Sequence, residues 1–74
     1  MAEEYTVILV PSTSYAIQVE KVLGQAGIPC KMIPVPRQLS SDCGVCVRIH
    51  RENAHKAVDL IQHADIDMEG LYNI

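Results

Sequence analysis

The chain has 74 residues, no Phe or Trp, and a formal charge of −3 at pH 7, which suits one domain over 1–74 with a single sheet and a single helical layer, and excludes an enclosed multi-residue cleft. The basic residues are scattered, so no stripe exists for nucleic acid. The longest apolar run is far below the ~20 residues that cross a bilayer, and the start Met1-Ala2-Glu3-Glu4 is acidic, unlike a signal peptide. A cytoplasmic protein with neither nucleic acid nor membrane as partner is the expectation.

Residues 5–10, Tyr-Thr-Val-Ile-Leu-Val, are apolar on both parities and end at Pro11, which predicts a central strand. Ser12, Thr13 and Ser14 offer capping hydroxyls. Ala16, Val19, Leu23 and Ala26 then recur at helical spacing, with Val22 widening the stripe. Gly27 and Pro29 mark the stop. Gly24, inside this helix, costs about 1 kcal/mol against alanine, and close packing on the sheet is the expected reason.

Residues 31–36, Lys-Met-Ile-Pro-Val-Pro, read as a second strand. Pro34 and Pro36 share a parity and cannot donate to a ladder, so this strand belongs at an edge. Residues 45–50 alternate, with Val45, Val47 and Ile49 toward the core and Cys46, Arg48 and His50 away from it. Glu52 to Ala64 is expected to be a second helix, with Ala54, Ala57, Val58 and Ile61 as its apolar stripe. Leu71 to Ile74 reads as a short last strand. The two β-α-β halves show no evident sequence repeat.

This order predicts an α+β fold of the ferredoxin-like βαββαβ type, a four-stranded antiparallel sheet with two helices on one face. Right-handed crossovers place the first and third strands in the middle. The other face carries apolar groups of the first strand, so it is expected to be covered, and a homodimer through that open face is one way.

The connection from Pro34 to Cys46 is longer than most hairpin loops, and long loops often carry function. Cys43 lies near its end and is the candidate functional thiol. Gly44 gives the backbone freedom to approach closely or adopt positive φ. Arg37, Ser40 and Ser41 supply charge and hydroxyls that favour a thiolate, while Asp42 opposes one. Cys43 and Cys46 also spell CxxC, but a strand follows where redox versions begin a helix. Three extended residues span about 10 Å, beyond the reach of a disulfide at about 7 Å. For Cys46 an ordinary strand position on the open face is preferred to a resolving role.

A tetrahedral metal set is not assembled within one chain. Pairing Pro36 with Val45 puts Cys30 near His50 or Arg51, roughly 20 Å from Cys43 at about 3.3 Å per residue. Cys30 itself reads as a small strand-edge residue. His55 and His63 read as solvated helix positions, and Asp65, Asp67 and Glu69 as a solvated loop without calcium-loop spacing. No metal ligand or cofactor is therefore assigned. Two chains sharing their CxxC pairs around zinc or copper remain an alternative, as does a regulatory module acting through the open face.

Several segments resemble a known family: Pro11-Ser12-Thr13, Glu20 to Leu23 leading to Ala26-Gly27-Ile28-Pro29, Ile33 to Arg37, Ser40-Ser41-Asp42-Cys43-Gly44, and Glu69 to Tyr72. Together they are similar to the small DUF3343 proteins, a selenium/sulfur carrier protein-like family, over nearly the whole chain. The family cysteine falls on Cys43, and Cys46 looks additional to the pattern. The resemblance implies a non-enzymatic carrier whose thiol accepts sulfur or selenium as a persulfide or Cys-S-Se species. Its implied partners are donor and acceptor enzymes of sulfur or selenium metabolism.

Overall fold

The computed structural model describes residues 4–39 and 44–74. Its elements are β1 (Tyr5–Leu9), α1 (Thr13–Gln25), β2 (Cys30–Pro34), β3 (Val45–His50), α2 (Ala54–His63) and β4 (Gly70–Asn73). The sheet is four-stranded in the order β2-β3-β1-β4 with antiparallel neighbours. This is the ferredoxin-like arrangement, with β1 and β3 central and β2 at an edge.

Strand parity sets the layers. Ile8, Val10, Val47 and Ile49 join Ala16, Val19 and Leu23 of α1 and Ala57 and Ile61 of α2 in one buried core, so both helices cover the same face. Thr6 shares that parity and is fully buried, and its hydroxyl donates to Asn73 Oδ1 at 2.8 Å. That bond offsets the cost of burying a hydroxyl. Tyr5, Val7, Leu9, Cys46, Arg48 and His50 take the opposite parity.

Both helices end in the same way. Gly27 has φ +77°, its N–H donates to Gly24 O, and Ile28 N–H donates back to Leu23 O at 2.9 Å. Asp65 has φ 56°, its N–H donates to Gln62 O, and Ile66 N–H donates to Ile61 O at 3.2 Å. Each is a Schellman closure with an isoleucine folded back onto the core. The halves do repeat locally, as Leu23-x-x-Ala26-Gly27-Ile28 and Ile61-x-x-Ala64-Asp65-Ile66.

Several expectations are corrected. Ser12 occupies the N-cap of α1, yet its side chain makes no capping bond. A Cβ on Gly24 would meet nothing within 4 Å, so close packing does not explain that glycine. The second helix opens with a 3-10 turn, Arg51–Asn53, and is α-helical only from Ala54. β2 begins and ends earlier than residues 31–36 and pairs Pro34, not Pro36, with Val45. Cys30 consequently lies opposite Ile49, on the helix side, while His50 lies on the other face.

Candidate functional site

The β2–β3 ladder continues one step past the strands, because Val35 N–H donates to Gly44 O at 3.2 Å. The connector proper is therefore residues 36–43, pinned at its base. Its first half is a tight turn in which Leu39 N–H donates to Pro36 O at 3.0 Å. Arg37 and Gln38 project from that turn into solvent. Leu39 and Val35 fold down against Val7, Leu9, Ile33 and Cys46. One end of the face left open by the helices is thus covered by the chain itself.

That packing decides the state of Cys46. It lies on the expected face, opposite Leu9 on one side and Ile33 on the other. It is nonetheless 0% exposed, and its sulfur is 4.0 Å from Pro34 O, a weak contact. Val35 and Leu39 are among the side chains packed against this buried cluster. The pair was overlooked in the sequence, although two aliphatics four apart in a polar connector are a signal that it packs back on itself.

Cys43, Ser40 and Ser41 lie outside the described residues. Of their neighbours, Arg37 is on the exposed turn and Gly44 forms the connector's far anchor. A Cβ on Gly44 would meet nothing within 4 Å, so no close approach among the described residues requires glycine there. Antiparallel pairing places the start of β3 beside the end of β1, which leads through Pro11 into the N-terminus of α1. That helix end has no acidic residue in its first turn, so its positive dipole faces the connector's end of the molecule. Glu69 reaches the same end, where its N–H donates to Leu9 O at 2.7 Å, so the field there is mixed.

Cys30 stands apart from this group. It is half-buried at the start of β2, with its sulfur 3.8 Å from Glu20 O. Burial pushes its thiol pKa up, and the charge of Glu20 adds to the shift. Its thiolate is therefore disfavoured. His55 and His63 are exposed on α2, as expected. Among the described residues, no three His, Cys, Asp or Glu side chains converge as a metal site. No described helix is long and apolar enough to cross a membrane.

Residues 4–73 match the family model described as "Putative Se/S carrier protein-like". No curated protein and no solved structure matches the chain. The match spans both helices, all four strands and the connector, and the chain belongs to this family.

Proposed function

We propose that this protein carries reactive sulfur or selenium on Cys43, as a persulfide or Cys-S-Se species, and delivers it to an acceptor enzyme. The observation that carries this reading is the family match across residues 4–73. A connector anchored at Val35 and Gly44, with Arg37 exposed on its turn, supports it. In the sulfur case the Cys43 thiolate attacks the outer sulfur of a donor persulfide. The S–S bond breaks, the donor's inner sulfur leaves as a thiolate, and no external oxidant is needed. Arg37, Ser40 and Ser41 are assigned to stabilise the anionic cargo by charge and hydrogen bonds. Gly44 is assigned to leave the approach to it unobstructed. The setting proposed is the cytoplasm, where thiols stay reduced.

Cys46 has a packing role in this reading. The zinc or copper alternative needs the Cys46 sulfur as a ligand, and the structure encloses it. Intact-mass analysis, after incubation with a cysteine desulfurase and cysteine or with selenite and excess thiol as reductant, tests the proposal. Wild type should gain sulfur or selenium and Cys43→Ser should not. Equal loading of the variant overturns it, and stoichiometric metal on the purified protein would favour the alternative.

A further inference from the structure

The sheet end remote from the connector holds a second group of side chains, which the carrier reading does not use. β2 and β3 pair Lys31 directly with Arg48, so two cations oppose each other on the face away from the helices. Like charges in that relation destabilise a strand pair. Among the described residues neither has a carboxylate within salt-bridge distance, whereas Arg51 is paired with Glu4 at 3.1 Å. The Arg48 guanidinium lies 4.2 Å from the centroid of the Tyr5 ring, and the His50 ring is 5.2 Å from the same ring. Stacking engages the flat face of a guanidinium and leaves its edge N–H donors for other partners.

These groups surround a recess of about 100 Å³, lined by Lys31, Arg48, His50 and Tyr5 together with Pro29, Cys30 and Ile49, with no carboxylate among the described lining residues. The chain has nine Asp and Glu against six Lys and Arg. A recess whose described lining holds two basic side chains and no acid is therefore the reverse of its average surface. From this juxtaposition we propose that Lys31, Arg48 and His50 form a binding site for a phosphate-class oxyanion. The anion would neutralise the opposed pair and take charge-assisted hydrogen bonds from the Arg48 fork. The site lies four to six residues along the chain from Gly44, roughly 13–20 Å at about 3.3 Å per residue, and does not depend on cargo at Cys43.

The test is an NMR titration of the whole chain at fixed ionic strength. One arm uses inorganic phosphate, one a nucleoside monophosphate, and one sodium chloride as control. Saturable amide shifts centred on residues 29–31 and 48–50 are expected with phosphate and not with chloride. Comparable affinity for both phosphates identifies a free anion as the ligand, and tighter nucleotide binding identifies a phosphoryl ester. Lys31→Gln and Arg48→Gln should each weaken binding about tenfold, Arg48→Lys less, and Lys56→Gln not at all. No saturable shift, or shifts spread over the whole chain, overturns the proposal. So does undiminished binding by a folded Lys31→Gln/Arg48→Gln protein. Should that variant fail to fold, the location of the wild-type shifts decides.

Discussion

Four single residues show how differently the same local rule acts along this chain. Gly27 was legible as a helix stop, and its φ of +77° is the reason glycine is favoured there. Asp65 performs the same turn at φ 56°, but its acidic neighbours made it read as part of a solvated loop. An L-residue other than glycine pays there for its Cβ. Gly24 has ordinary helical surroundings with open space around it, so its flexibility brings no packing gain. Gly27→Ala should therefore destabilise by about 1 kcal/mol, while Gly24→Ala and Asp65→Gly should each stabilise by up to about 1 kcal/mol. Denaturant midpoints at constant slope measure all three, and a destabilised Gly24→Ala protein would show that the glycine has a use not visible in its contacts. Ser12 is the fourth. Its type marked the helix start correctly, but the hydroxyl does not bond the helix N–H groups, a detail of rotamer that spacing cannot reveal.

Elements were legible in type and order because each carries a clear period, and their faces were legible because parity survives small errors. The β2–β3 register was read two residues out, which changed every partner yet kept each side chain on its proper face. Cys46 accordingly lies on the face the alternation predicts, but nothing in strand periodicity shows that Val35 and Leu39 are what pack against it there. β4 holds a second contact of this kind. A Cβ on Gly70 would lie 2.7 Å from Cε2 of Tyr72, whose ring leans back over the glycine. Because Tyr72 is exposed, the ring can swing away at modest cost. Gly70→Ala should cost about 1 kcal/mol in the native background and close to nothing alongside Tyr72→Ala. A thermodynamic cycle in which the two changes simply add would refute the contact.

At the scale of the whole molecule, the layers sort the thiols. Cys46 should resist alkylation in native protein and react only as fast as the structure opens, with peptide mapping after timed quenching as the measurement. Rapid native labelling at that position would contradict its enclosure. Cys30 should react slowly at neutral pH, since burial and then Glu20 hold its pKa above the ordinary thiol range. Linkage fixes the sign of its effect on stability. The native state keeps the proton more tightly than the unfolded chain, so the contribution is complete below the unfolded thiol value of about 8.5. It is lost as pH rises through the raised native value. Between pH 8 and 10.5, wild type should lose more stability than Cys30→Ala, by denaturant titration.

The tethering of the connector's described residues bears on the carrier role proposed above. Leu39 is seated on the sheet at one side and Gly44 is bonded into the ladder at the other. Val35, Leu39 and Gly44 are thereby tied to the rim of the sheet by apolar packing and a ladder bond. In the carrier role proposed above, an acceptor would meet that tethered rim, and part of its specificity would lie in matching the contour that Val35, Leu39 and Gly44 present.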